Sequence, residues 1–418
     1  MALALQMFSG PEPTVTTMLE GRSPAAERWA WVALALVRPV ATRARAYHDL
    51  LRLGSPADVF QASRRVLAEV IGAEAAAAIL ALDWRQAARD QARAATRCGA
   101  RLLLLGDTDY PVALRPIDLP PPFLLVRGEI RREDALATAI VGSRKASPYG
   151  VRMAEQLAAD LAARGVTVVS GLARGVDTAA HRGATGVGGR TIAVLGSGVD
   201  VVYPPENRGL AADVAESGAV VSQFPMGTPP LPQHFPARNR IIAGLALGTV
   251  VVEAAERSGA LITARCAGEL GREVYAVPGS VSAPGSHGTH ALIQDGAKLV
   301  QGWEDVVGEW PWEWRRALRV PGSEGSEGAD VGAGQGRLLA LLGDEPIAVD
   351  AMVERTGLAP SEVSAGLTEL ELLGLARRTS GQHFVRTGAT MAQATRRHPS
   401  EQRGGEARGR SAASPCED

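Results

Sequence analysis

Short turns rich in glycine, serine and arginine follow several apolar runs of this sequence. The first two turns are Gly142-Ser143-Arg144-Lys145 and Ser170-Gly171-Leu172-Ala173-Arg174-Gly175. Small residues leave backbone N–H groups accessible, while helix N-termini and guanidinium groups add positive potential. Turns of this composition are suited to holding anions such as phosphate groups.

Three further turns of the same kind occur downstream. The third is Gly196-Ser197-Gly198, with Arg208 further along, the fourth is Arg238-Asn239-Arg240, and the fifth is Ser258-Gly259. Arg238 and Arg240 stand directly before the apolar run that begins at Ile241, so we expect both to precede a helix and to point towards a ligand.

A single turn of this type has a simple structural explanation. Glycine often just permits a tight backbone, and an arginine often pairs with a carboxylate such as Glu253 or Glu256. Five such turns on one edge of a sheet would favour a binding surface instead. The choice between a structural role and a binding role therefore depends on whether the surrounding strands bring the five turns to one edge.

Six nearly continuous apolar runs precede or follow these turns and predict buried parallel strands. They alternate with alanine-rich helical segments, which predicts a doubly wound α/β sheet whose strand ends and turns share one edge. AKLV at 297–300 is a candidate seventh strand. The six runs are residues 138–143, 166–171, 190–196, 219–224, 249–254 and 273–279.

Composition divides the chain into further parts. The helical spacing of residues 25–98 predicts a small helical domain. Both a helix-hairpin-helix (SAM-like) fold and a plain helical bundle are compatible with this pattern. Three short helices and a β-wing predict a winged helix near the end of the chain. The predicted parts are a loose segment 1–24, helices 25–98, a core 99–318, a linker 319–336, a winged helix 337–387 and a disordered tail 388–418.

The overall composition excludes several classes of protein. The net charge of −1 leaves nucleic-acid binding to local placement of charge, with lysine only at Lys145 and Lys298. Three scattered cysteines predict neither disulfides nor a zinc site. The longest early apolar run, 29–37, is too short to span a membrane, and no signal-peptide pattern precedes it. We expect a cytoplasmic protein without membrane insertion.

Four motifs resemble catalytic or cofactor sites but lack essential parts. Residues 183–191 have no P-loop lysine and precede a strand, and the segment 196–200 lacks the third glycine of a dinucleotide fingerprint. His287 and His290 lie in an expected loop without metal-binding partners, and Asp177 with His181 fits a helix cap. We therefore expect no catalytic residue, no cofactor and no metal.

Several segments together resemble the DNA-processing protein A family (DprA, also called Smf). They include SGLARGVDTAAHRGA from Ser170, PARNRIIAGL from Pro236, SGALITARCAGELGREVYAVPG from Ser258 and HGTHALIQDGAKLV from His287. The resemblance covers about residues 100–302 and extends loosely to the C-terminal winged helix. It implies an extended Rossmann-like, mostly parallel sheet.

The resemblance also implies a function. Members bind single-stranded DNA, form homodimers and load RecA onto strands covered by single-strand-binding protein, in natural transformation and recombination, without catalytic turnover. Lys145 and Arg208 are added as nearby cations and Gly175 as a turn residue. The residues that match the family's DNA-contacting motifs are Gly142, Ser143, Arg144, Ser170, Gly171, Arg174, Arg238, Asn239, Arg240, Ser258 and Gly259.

Two positions depart from the pattern of that family. Gln223 stands where glutamate is common, and His290 stands where asparagine is common; both are expected near the site. Aromatic residues are scarce, with Phe235 alone beside the arginine pair. The expectation is therefore binding through phosphates and pocket hydrogen bonds rather than through a stacking platform.

Two other functions fit parts of the sequence. A nucleotide-handling phosphoribohydrolase has a related sheet, but its P-G-G-x-G-T-x-x-E motif is missing from this sequence. A transcriptional regulator would need a basic recognition helix, whereas the candidate helix from Pro360 is acidic and contains no Arg or Lys before Arg377. Single-stranded DNA binding is the favoured interpretation.

Overall fold

The computed structural model describes residues 25–37, 44–319, 333–343, 346–372, 376–379 and 381–386. The chain divides into two compact units, residues 1–321 and 322–418. The predicted loose segment 1–24 and the tail 388–418 lie outside the described residues. The predicted linker ends too late, because a helix already begins at Ala333.

The first unit begins with short helices around an apolar centre that includes Leu34, Leu50 and Leu67. Ser55 and Asp83 each cap a helix with a side-chain oxygen that accepts a backbone N–H. This confirms the predicted helical N-terminal region. Its helices are α1 (Ala25–Arg28), α2 (Ala30–Ala35), α3 (Ala44–Leu51), α4 (Pro56–Gln61), α5 (Arg64–Ile71), α6 (Ala73–Ala81) and α7 (Trp84–Arg97).

A nine-stranded sheet in the order β1-β2-β6-β5-β4-β3-β7-β8-β9 forms the centre of the first unit. All seven predicted strands are present, and they run parallel. The strands are β1 (Ala100–Leu104), β2 (Phe123–Gly128), β3 (Ala137–Val141), β4 (Thr167–Ser170), β5 (Thr191–Val194), β6 (Ala219–Ser222), β7 (Gly248–Val251), β8 (Glu273–Ala276) and β9 (Lys298–Leu299).

Strands β1 and β2 are the two strands of this sheet that the sequence prediction missed. β2 pairs antiparallel with both β1 and β6. Only a three-residue 3-10 turn, Val112–Leu114, separates β1 from β2, so the alternation of strands and longer helices that revealed the other strands is missing there. The sheet is therefore mostly, but not wholly, parallel.

Helices cover both faces of the sheet and bury two apolar layers. Strand order reverses at β3, which lies between β4 and β7, so the carboxyl end of β3 is a topological switch point. The helices are α8 (Pro148–Ala163), α9 (Val176–Gly186), α10 (Arg208–Ser217), α11 (His234–Leu245), α12 (Gly259–Glu269), α13 (His287–Gln294), α14 (Trp303–Val307) and α15 (Trp312–Arg315).

The second unit is a small helical domain with a three-stranded sheet in the order β10-β12-β11. Leu338, Met352 and Leu367 are buried where its helices meet. This is the predicted order of three helices followed by a wing. Its elements are α16 (Ala333–Leu341), β10 (Ile347–Ala348), α17 (Val349–Thr356), α18 (Pro360–Leu372), β11 (Ala376–Thr379) and β12 (His383–Arg386).

Candidate nucleic-acid interface

A shallow, open cleft lies beyond the carboxyl ends of β3, β4 and β5. Ligands of open α/β sheets bind at such a position, where the order of the strands reverses. The cleft combines three guanidinium groups with two aromatic rings, which suits a ligand that carries both phosphates and bases. Its lining residues are Arg144, Gly171, Ala173, Arg174, Tyr203, Pro204, Phe235 and Arg238.

Arg238 forms the inner wall of the cleft, and its position corrects the sequence prediction. It does not precede a helix but lies within α11, with only 4% of its surface exposed. Its Nη1 donates to the carbonyl oxygens of Gly171, at 2.5 Å, and Val194, at 2.9 Å. Burial lowers the pKa of Arg238 to about 10. The guanidinium therefore ties the ends of β4 and β5 to α11.

Phe235 lies one helical turn before Arg238 and contacts two guanidinium groups. The Cζ atoms of Arg144 and Arg238 lie 5.2 and 5.4 Å from its ring centroid, within the range of cation–π attraction. The ring of Tyr203 lies 6.4 Å away from that of Phe235. A Cβ at Gly196 would come within 3.1 Å of the Phe235 ring, so the glycine leaves room for it.

The cleft is thus lined by two aromatic rings, whereas the sequence analysis expected Phe235 alone beside the arginines. The sequence prediction noted Phe235 but missed Tyr203. Tyr203 comes from the connection between β5 and α10, and 40% of its surface is exposed. The Tyr-Pro-Pro segment that carries it is visible in the sequence. Its nearness to Phe235, 32 residues away, follows only from the fold.

Asp177, the second residue of α9, stabilises the turn after β4 by hydrogen bonds. Its carboxylate accepts the N–H groups of Gly171, at 3.2 Å, and Ala173, at 3.4 Å. Burial raises the pKa of this carboxyl group. Ser170 is fully buried and donates its hydroxyl to the carbonyl of Ile140. The predicted residues Ser170 and Gly171 thus shape the turn through backbone contacts.

The turn after β3 is attached to β7 through Glu253. The N–H of Ser143 donates to the Glu253 carbonyl at 2.6 Å, and the Glu253 carboxylate accepts both the N–H and the hydroxyl of Ser147. A Cβ at Gly142 would come within 2.6 Å of Val176, so this position needs glycine. Glu253 therefore holds the loop that carries Arg144 and does not pair with an arginine.

Gly175 has a direct structural role beside the first turn. Its φ of +74° is the left-handed region that favours glycine, and a Cβ there would come within 2.2 Å of the Ser143 carbonyl oxygen. Arg174, its neighbour, is exposed at the cleft and forms a 2.5 Å ion pair with Glu206. Arg174 is therefore available to a ligand only in competition with Glu206.

Arg240 does not reach the cleft, contrary to the sequence prediction. It lies two residues after Arg238 in α11, and a helix turns such a residue to another side. Its guanidinium donates to the carbonyl of Asp118 at 2.6 and 3.2 Å. Arg240 therefore attaches α11 to the segment that follows β1.

The remaining predicted residues lie outside the lining of the cleft. Asn239 donates to the carbonyl of Gly259 at 3.4 Å, and Ser258 caps α12 by accepting the N–H of Ala260. Lys145 is exposed beside Arg144, and Arg208 is the exposed first residue of α10. The fifth turn thus meets α11 through Asn239 but does not line the cleft.

Two of the histidines that the sequence analysis discussed make hydrogen-bonding contacts within the fold. His290 contacts the backbone of Gly279 from within α13, so the HGTH segment is helical and not the expected loop. His181 is buried and contacts Thr191 at 2.7 Å, not Asp177. Neither His290 nor Gln223 lines the cleft.

The described part of the chain contains neither a metal-binding cluster nor a membrane-spanning helix. Among those residues, no group of three or more His, Cys, Asp or Glu side chains could hold a metal ion. None of the helices described is long and apolar enough to cross a bilayer.

A doubly wound, mostly parallel sheet with a basic and aromatic cleft at its switch point defines a Rossmann-like α/β protein. Residues 101–311 match the family described as DNA recombination-mediator protein A, and residues 325–382 match the DprA winged helix domain. The chain belongs to this DprA/Smf family.

Individual relatives agree with the family match. The putative DNA processing protein DprA of Mycobacterium tuberculosis is 36% identical and covers 89% of this chain and 97% of its own length. Protein Smf of Escherichia coli is 45% identical over 65% of this chain and 71% of its own. The crystal structure of DprA from Streptococcus pneumoniae has a TM-score of 0.58 at 35% identity and covers 70% of this chain and 99% of its own.

Proposed function

We propose that this protein binds single-stranded DNA in the cleft at the switch point of its sheet. The observation that carries the proposal is that the ring of Phe235 lies within cation–π distance of two guanidinium groups, those of Arg144 and Arg238. Single-strand binding combines a basic track for phosphates with aromatic rings on which bases stack.

We assign different roles to the predicted site residues. Arg144 and Arg174 contact phosphates, Tyr203 and Phe235 stack on bases, and the buried Arg238 supplies positive charge from within. Gly142, Ser143, Ser170, Gly171 and Gly175 shape the two turns. Lys145 and Arg208 extend the positive surface, whereas Asn239, Arg240, Ser258 and Gly259 support α11 and α12.

We further propose that the bound strand is handed to RecA in recombination, including natural transformation. Membership of a family described as DNA recombination mediators supports this role. In this scheme the protein acts in the cytoplasm as a homodimer, on strands covered by single-strand-binding protein, and turns over no substrate.

The proposal is tested by fluorescence anisotropy with labelled oligo-dT and a matched duplex over a series of salt concentrations. We expect tighter binding of the single strand, with a salt slope of about 0.7 for each phosphate neutralised. Arg144→Gln should weaken binding of oligo-dT by roughly tenfold, since a contact to a charged group contributes about 1.5–3 kcal/mol.

Arg132→Gln is the matched control. Arg132 is exposed and lies before β3, at the opposite edge of the sheet, so this variant loses the same charge away from the cleft. Its affinity should equal that of the unaltered protein. An equal loss of affinity in both variants, or no preference for the single strand, would refute the proposed site. Release of free base from nucleoside monophosphates would then be measured, to test the alternative of a phosphoribohydrolase.

A further inference from the structure

The last helix of the N-terminal region carries a regular row of arginines. Arg85, Arg89, Arg93 and Arg97 recur at every fourth residue of α7, and all four are exposed. A step of four residues advances about 6 Å along the helix and about 40° around it. The four guanidinium groups therefore form one continuous face about 120° wide, which we call the arginine face.

The opposite side of α7 is buried, so the orientation of the arginine face is defined. Trp84, Ala88 and Ala95 pack into the protein. Gln91 also points away from the arginine face and exchanges two hydrogen bonds with the backbone of Met226, at 2.7 and 3.4 Å. These contacts hold the arginine face towards solvent.

Few carboxylates neutralise this face. Asp90 is the one carboxylate within α7; it lies 3.9 Å from Arg93, and both side chains are largely exposed, so the pair contributes little. Arg89 donates to the amide oxygen of Gln86, and Arg85 lies over the ring of Trp84. Residues 25–98 contain eleven arginines and seven carboxylates, although the whole chain has a net charge of −1.

Helix α7 packs against Met226, in the segment after β6, and belongs to an apolar cluster that extends towards the cleft. Ala95 shares an apolar cluster with Val199 and Met226, and Val202 packs on the same cluster. Tyr203, the next residue, lines the cleft. A strand that leaves the cleft over Tyr203 therefore passes the apolar cluster on which α7 is docked, and it meets the arginine face where it continues around α7.

We propose that the arginine face is a second phosphate-binding surface, which holds the continuation of a DNA single strand that leaves the cleft. The inference rests on the proposed function of the cleft. An exposed row of four arginines with one carboxylate, Asp90, among them fits a polyanion, and a flexible strand can follow both the cleft and the helix.

The test compares two lengths of oligo-dT, about 6 and about 30 nucleotides, with the full-length protein. The variant replaces the four arginines of the arginine face by glutamine, whose helix propensity is close to that of arginine. Binding of the long oligonucleotide should weaken at least ~10-fold, and its salt slope should fall by about 2 to 3. Binding of the short oligonucleotide should not change.

A control variant removes the same charge elsewhere. It replaces four exposed arginines outside α7 and the cleft, and it should bind both lengths as the unaltered protein does. An equal loss in the control would show a general effect of net charge and would refute the inference. The substitutions are Arg132→Gln, Arg182→Gln, Arg265→Gln and Arg315→Gln.

Two other outcomes separate this inference from the proposed function. If the arginine-face variant binds the long oligonucleotide normally, the inference is wrong while the cleft remains the binding site. If the unaltered protein binds neither length, both proposals fail together.

Discussion

Gly171 occupies the point where β4 meets the buried side chains of Arg238 and Asp177. A Cβ at this position would lie 2.0 Å from Arg238 Nη1 and 2.8 Å from the Asp177 carboxylate. Because both side chains are buried and hydrogen-bonded, they have little room to move. Gly171→Ala should therefore lower the free energy of unfolding by about 1–3 kcal/mol and weaken binding of oligo-dT.

Urea denaturation measures the first effect, and Gly268→Ala is its control. No atom lies within 4 Å of a Cβ at Gly268, which is in α12. Alanine in a helix is favoured over glycine by about 0.5–1 kcal/mol, so the control should be as stable as the unaltered protein or slightly more stable. A stable Gly171→Ala protein with normal affinity would contradict the described packing.

We expect the buried His181 to make the free energy of unfolding depend on pH. Burial, aided by Arg238, lowers its pKa from 6.5 to about 3. Between these values the unfolded chain binds a proton that the folded protein does not, so the free energy of unfolding falls as pH drops below 6.5. The loss from this residue between pH 7 and pH 5 should be about 2 kcal/mol.

The contribution of His181 is isolated by comparison with His181→Gln. Glutamine cannot take up a proton, so urea denaturation of the variant should show a smaller loss of stability over the same range of pH. Asp177 works in the opposite direction, since its pKa is raised, but it is present in both proteins. Parallel curves for the two proteins would show that His181 is protonated in the fold.

At the scale of elements, Glu253 joins the end of β7 to the loop between β3 and α8. Its carboxylate accepts two hydrogen bonds from Ser147. In Glu253→Gln an uncharged amide oxygen replaces this acceptor, so the loop that carries Arg144 should become more mobile. Hydrogen exchange at residues 143–147 should be faster, and oligo-dT binding should weaken roughly fivefold, which corresponds to about 1 kcal/mol.

Glu256→Gln is the matched control for that change. The side chain of Glu256 is 78% exposed and lies 3.8 Å from His287, without a contact to the loop. The control should leave both hydrogen exchange and affinity unchanged. If the two variants behave alike, Glu253 does not position the loop.

At the scale of the whole molecule, all lining residues of the cleft belong to the first unit. Removal of residues 322–418 should therefore leave the affinity for a short oligo-dT within about twofold, because binding is dominated by local phosphate and base contacts. Anisotropy measures the effect, and circular dichroism checks that the shortened protein is folded. A tenfold loss would place part of the binding surface in the second unit.

Much of the fold could be predicted from local sequence properties. Continuous apolar runs must be buried on both faces, and their alternation with helical segments predicted β3 to β9 and the edge where their turns meet. The same reasoning placed the turns that carry Arg144 and Gly171 at one edge of the sheet, and both residues line the cleft. It missed β1 and β2, because antiparallel neighbours do not need an intervening helix.

Within α11 only the tertiary structure distinguished Arg238 from Arg240. Both are arginines two residues apart in the same motif, and the sequence assigned them one role. A helix turns about 100° per residue, so Arg238 enters the cleft while Arg240 reaches the Asp118 carbonyl. The sequence by itself determined which turns could hold anions. It did not determine which side chains share the cleft, because that depends on contacts between distant segments. The clearest example is Tyr203, which meets Phe235 only in the folded protein.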